Sequence, residues 1–304
     1  MTTISPSYES LLETSKRVNW RVKDVIGGSK RLDFSKPFLP ESFARTSGLT
    51  FLTPEEQLKL NHIRAYGYLS MFELVERCIL PYINAQVPST PGQDSYRSAA
   101  LSQFAQEEQK HIDLFVRFRE EFTAGFEQDC GFIGPAEDIG AVIRNHSELA
   151  LAIFTLAIEW GTQRHYVDSI RDNQSMDPQF KSMLKHHWLE ESQHVKLDTM
   201  VFFELVDGKA SEEVESAVDE FLDIGGFVDG GLKQQAELDL QSLEAVIGRT
   251  LPEPERLAMK EQQHQAMRWT FIGSALINKG FLEALEKVSP AARAKIDQVA
   301  PIFC

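Results

Sequence analysis

Apolar residues recur three and four positions apart along most of this chain, which is the spacing of amphipathic helices. A first long helix is predicted to start at "LTPEEQLKL". Thr53 caps it, Pro54 takes the first helical position and Glu56 completes a capping box. Its apolar stripe runs to about Ile83, with Pro81 expected to kink or end it. "STPGQD" is a break, and a second helix is predicted from about Ser95 to Phe126, closed by "CGFIGP". A third region opens near Pro135 and continues from about Ser147 to Asp172, where "DNQSMDP" breaks it. Asp177 then caps and Pro178 opens a fourth helix reaching about Val206.

Beyond "DGKAS", Ser211 opens a helical stretch expected to break at "IGGFVDGG", and a last pair of segments flanks Gly280. "GGFVDGG" lacks the spacing and the preceding strand of a phosphate loop, so it is expected to be a helix break. Alternating strand patterns are nearly absent. The fold class is all-α: a four-helix bundle over about 53–206, an N-terminal arm over 1–52 and C-terminal helices over 211–304, read as a single domain.

Composition narrows the function. The formal net charge of −14 and the lack of a basic stripe argue against nucleic acid. The most apolar run, "ELALAIFTLAIEW", is too short to span a membrane, and no secretory signal is visible. Cys78, Cys130 and Cys304 form neither a disulfide framework nor a CxxC knuckle, which fits the cytoplasm.

The candidate chemistry lies in "HHWLEESQH". On a helix His187, Glu191 and His194 share one face, while His186 and Glu190 point aside. Glu-x-x-His recurs as Glu108/His111, Glu191/His194 and Glu261/His264. The third has polar residues all round and reads as a solvated face. Each of the first two has a lone glutamate one helix upstream, Glu73 and Glu159, both set among apolar residues with no evident basic partner at helical spacing. Buried carboxylates must protonate, pair or bind a cation. Two lone glutamates and two Glu-x-x-His motifs are what a two-metal centre in a bundle needs. Oxygen-rich ligation with imidazole suits iron, or manganese in its place. Asp198, one turn after His194, is a candidate acceptor for its second ring N–H.

These residues resemble the ligand set of ferritin-like di-iron carboxylate proteins. His187-x-x-x-Glu191-x-x-His194 and "PFLPESFARTSGLTFLTPEEQLKL" narrow the likeness to the para-aminobenzoate N-oxygenase family, over roughly 37–206. The resemblance implies Glu73, Glu108, His111, Glu159, His187, Glu191 and His194 as ligands of two iron ions. It also implies O2 as co-substrate and a small-molecule substrate, at best an aromatic amine. A C-hydroxylase, desaturase or oxidative-cleavage enzyme keeps the same centre, and an iron-storage bundle is the alternative from another class. No flavin or nicotinamide motif is evident, so a separate reductase or ferredoxin-like donor is expected. A homodimer is a further expectation.

Overall fold

The computed structural model describes residues 7–87, 95–126 and 128–304. The break expected at "STPGQD" lies outside them. No strand occurs among the described residues. The helices are α1 (Tyr8–Ser15), α2 (Val22–Val25), α3 (Glu41–Ala44), α4 (Pro54–Gln86), α5 (Ser95–Gly125), α6 (Ala136–Arg144) and α7 (Glu148–His165). They continue as α8 (Pro178–Val206), α9 (Ser211–Ile247), α10 (Glu253–Arg268), α11 (Ser274–Leu276), α12 (Lys279–Val288) and α13 (Pro290–Val299). Single π-helical turns follow α7, at Tyr166–Ile170, and α10, at Trp269–Gly273.

Helices α4, α5, α7 and α8 form the bundle. Tyr66 meets Phe122 and Phe72 meets Phe115, so α4 and α5 run antiparallel. Phe118 packs on Phe180 while Arg97 bonds Glu204, so α5 and α8 are antiparallel as well. Gln86 donates to Glu148 while Tyr68 reaches His165, which sets α7 against α4. The chain leaves α5 beside His62, near the start of α4, and begins α7 beside the end of α4. That single long crossover along the bundle is the connection of ferritin-like folds.

Local signals explain most of the ends. The capping box at Thr53 and Glu56 forms as expected. Asp177 caps α8, accepting from Phe180 N–H, and also accepts the N–H of Asp33, which ties the arm to the bundle. Asn61 does the same from α4, accepting from Phe38 and Leu39.

Of the two outcomes expected at Pro81, a kink or an end, the end does not occur: α4 continues to Gln86, and both Pro81 and Arg77 are exposed, so the Arg77 carbonyl, which loses its partner to the proline, can bond water instead. Two further expectations fail. Helix α9 runs unbroken through "IGGFVDGG". Neighbouring contacts along α9 outweigh four internal glycines, each costing about 1 kcal/mol against alanine. Gly280 does not separate two helices but sits in the first turn of α12, where a Cβ would collide with the Trp160 ring.

Candidate metal centre

Helix α5 carries Glu107, Glu108 and His111, and α8 carries Glu190, Glu191 and His194. All six are buried. Because α5 and α8 are antiparallel neighbours, equivalent positions meet in reciprocal pairs. The His111 Nε2 lies 3.0 Å from Glu190 Oε2, and the His194 Nε2 lies 3.0 Å from Glu107 Oε2. Each motif is therefore Glu-Glu-x-x-His: the second glutamate faces the bundle axis and the first holds the histidine of the other helix.

The inner groups converge. Ligand atoms of Glu76, His111, His187 and Glu191 lie within 4.8 Å of one another, and so do those of Glu108, His111, Glu191 and His194. The His187 Nε2 is 2.9 Å from Glu191 Oε1 and 3.3 Å from Glu76 Oε1. Glu159, wholly buried on α7, approaches Glu191 closely enough to share a proton with it. The sequence-predicted residues Glu108, His111, Glu159, His187, Glu191 and His194 are thus brought together.

Glu73 is not. It sits on the side of α4 where Arg77 lies 3.0 Å and Arg119 2.9 Å away. Arg77 is one turn downstream, so a basic partner at helical spacing does exist. Glu76 instead faces the cluster, three residues on and thus on a neighbouring face of the helix. Asp198 is buried but makes no hydrogen bond to His194, because the imidazole turns its Nε2 across to α5 and Glu107. The third motif stays apart: Glu261 is exposed and His264 bonds Asp229 at 2.8 Å. Tyr66 packs on Phe122.

The donor set fits a pair of cations. Both oxygens of Glu108, one each of Glu76, Glu159 and Glu191, and the Nδ1 of both His111 and His194 are buried and meet no hydrogen-bond partner. His111 Nδ1 is 3.1 Å from Glu191 Oε1, but the oxygen is out of line for a hydrogen bond. Such groups are costly unless a ligand satisfies them. With Nε2–H committed to Glu107 or Glu190, each imidazole turns its Nδ1 inward, the orientation that outer carboxylates give metal-binding histidines. The surrounding carboxylates hold both rings protonated, and an incoming cation would replace the Nδ1 proton.

Charge follows the same layout. Burial, then the Glu108 charge, pushes Glu76 well above the carboxylate range, and burial with the Glu191 charge does so for Glu159. Burial opposes ionisation of Glu108 too, but the charge of His194 and the neighbouring Glu76 carboxyl hold it below the usual range. Burial keeps His187 below the ordinary imidazole value, hence neutral. With no cation between them these carboxylates share protons, which metal must displace. Metal uptake is therefore expected to release protons and to weaken as pH falls. Calorimetry of manganous ion binding in buffers of different ionisation heat, from about pH 8 down to about 6, checks this. Binding independent of pH would contradict it.

The outer layer comes partly from the N-terminal arm. Ser15 donates to Glu107, and Trp20 stacks on His111 with ring centroids 6.1 Å apart. Lys110 pairs with Glu190 and lies over the Trp20 ring. A cavity of about 440 Å³ lies behind Phe72, which separates it from His187, between α4, α7, α9 and the second π turn. His165, which had no sequence motif to single it out, lines it, hydrogen-bonded through Nε2 to the Thr270 carbonyl at 2.7 Å.

No protein-family model and no curated protein matches the chain. Among solved structures it is similar to an R2-like ligand-binding oxidase with an aerobically reconstituted Mn/Fe cofactor, at 16% identity over 95% of this chain and 94% of that one, TM-score 0.47. A point mutant of an R2-like ligand-binding oxidase with the Mn/Fe cofactor is similar at 17% identity, covering 95% of both chains, TM-score 0.47. Another mutant, with an Fe/Fe cofactor, matches at 15% identity over 87% of this chain and 94% of that one, TM-score 0.47. Likeness this loose carries no chemistry over to the present chain. Among the described residues no helix is long and apolar enough to cross a membrane.

Proposed function

We propose that this chain is a di-iron oxygenase that uses O2 to oxidise a small molecule, with an aromatic amine nitrogen as the favoured target. The observation that carries the reading is the buried cluster of unsatisfied carboxylate oxygens and two inward Nδ1 atoms, each imidazole backed by a carboxylate from the opposite helix. Glu76, Glu108, His111, Glu159, His187, Glu191 and His194 would hold two iron ions, with manganese as a substitute. Bound iron would supply the reduction of O2 and the transfer of oxygen.

The chain's own residues do the rest. Glu107 and Glu190 keep the Nε2 protons of His194 and His111 in place and so fix both rings. His187 adds a neutral donor, which leaves the net charge of the ligand set unchanged. The apolar walls beside the cluster exclude water from the reacting atoms. The adjoining cavity favours a small-molecule enzyme over iron storage, which needs no such space. Electrons come from an external donor.

Chain loaded with ferrous iron and exposed to O2 with a panel of aromatic amines should give hydroxylamine or nitro products. Oxidation of a carbon substrate with every amine ignored would leave the oxygenase and remove the N-oxygenase. His187→Leu separates ligand from core packing. Loss of an iron, or a changed absorption spectrum after O2, is expected. Two irons with an unaltered spectrum would mean that His187 only packs.

A further inference from the structure

The cavity behind Phe72 has a lining and a mouth. Val75 precedes Glu76 and Ile158 precedes Glu159, and both line it. Phe72 lines it too, its ring 5.5 Å from that of His187, so one layer of side chains separates the space from the cluster.

No Asp, Glu, Lys or Arg lines the cavity. Its inner polar groups are already engaged. The Thr162 and Thr270 hydroxyls donate to the carbonyls of Ile158 and Ala266, and Ser274 donates to that of Thr270. His165 is bonded to Thr270, and burial lowers its pKa to about 4, leaving it uncharged at neutral pH.

The mouth lies where α9 carries its glycines. Gly226 and Gly230 are exposed on the lip, and a Cβ built on either meets nothing within 4 Å. Ile133 and Gly134 of the crossover form the facing lip. Phe227, 41% exposed, stands beside the opening. The unbroken helix with missing side chains keeps a passage clear that leucine or larger residues would narrow.

We infer that this cavity is the substrate site, entered past Gly226 and Gly230, and that it takes a neutral, largely apolar aryl amine without a carboxylate. The amine part rests on the reading under Proposed function. The exclusion of charge rests on the lining alone. An ionised carboxylate or an alkylammonium would lose its water and find no counter-charge, whereas an aryl amine is unprotonated at neutral pH and loses little on transfer. The volume lies within the roughly 300–1,000 Å³ of small-molecule sites.

Calorimetric titration of the whole 304-residue chain tests this, as purified and after loading with ferrous iron under nitrogen. The probes are methyl 4-aminobenzoate, 4-aminobenzoate and benzylamine. The ester should bind at least tenfold more tightly than either charged probe. Gly226→Leu and Gly230→Leu should each weaken the ester at least tenfold, with helical circular dichroism and iron content unchanged. Ester binding no tighter than acid binding overturns the inference, as does no ester binding at all, or ester binding untouched by both substitutions. Iron loading and oxidation products are measured separately. A bundle that takes no iron, or iron protein that leaves bound amine unoxidised, defeats the proposed function while the binding order still decides this one.

Discussion

Glu76→Ala is expected to lose at least one of two bound irons, whereas Glu73→Ala keeps both. Glu76 is buried within reach of His187, its carboxylate among groups that have no other partner. Glu73 is already neutralised by Arg77 and Arg119. Glu108→Ala and Glu191→Ala have the larger effect. Both oxygens of Glu108 are unsatisfied, and Glu191 belongs to both groups of converging ligand atoms, so either loss should empty the bundle. Elemental analysis after anaerobic loading decides the matter. Full iron in Glu76→Ala with loss in Glu73→Ala would put the metal elsewhere on α4. Circular dichroism must accompany it, so that unfolding is not taken for loss of a ligand.

The second large effect falls on residues that touch no metal. Glu107→Ala and Glu190→Ala should each lower metal affinity by about 10- to 100-fold, the usual result of removing a histidine's outer carboxylate. Each deletion frees an Nε2–H in a buried site and lets the ring turn. The asparagine variants Glu107→Asn and Glu190→Asn, too short to reach, should fare no better, while glutamine should recover part of the loss by accepting the same hydrogen bond. Asp198→Asn should leave affinity near that of the unaltered chain, since Asp198 bonds neither histidine. Competition against a chelator of known affinity measures all seven. Strong loss in Asp198→Asn, with Glu107→Ala unaffected, would reverse the assignment of outer partners.

Helical periodicity, caps and breakers were sufficient for the all-α class and for the four bundle helices, because those signals act within a few residues. The Glu-x-x-His pairs were legible for the same reason: spacings of three and four place side chains on one face wherever the helix goes. The doubled glutamates of both motifs were visible too, and their repetition in "EEQKH" and "EESQH" was a signal that could have pointed to Glu107 and Glu190. Yet a helical wheel says only that Glu190 turns away from Glu191, not what it turns toward.

What the chain alone determined, then, is local: which stretches coil, and which donors share a face. Tertiary structure decided the rest. The choice of Glu76 over Glu73 depended on how α4 rotates against its neighbours, since both positions sit in the same apolar stretch. The reciprocal pairs of His111 with Glu190 and His194 with Glu107 exist because α5 and α8 lie antiparallel in register. The glycines of α9 looked like a break because helix propensity is a local quantity of about 1 kcal/mol per glycine. Packing of a long apolar face exceeds that cost, and only with α9 laid against the bundle do the missing side chains become the lip of a cavity.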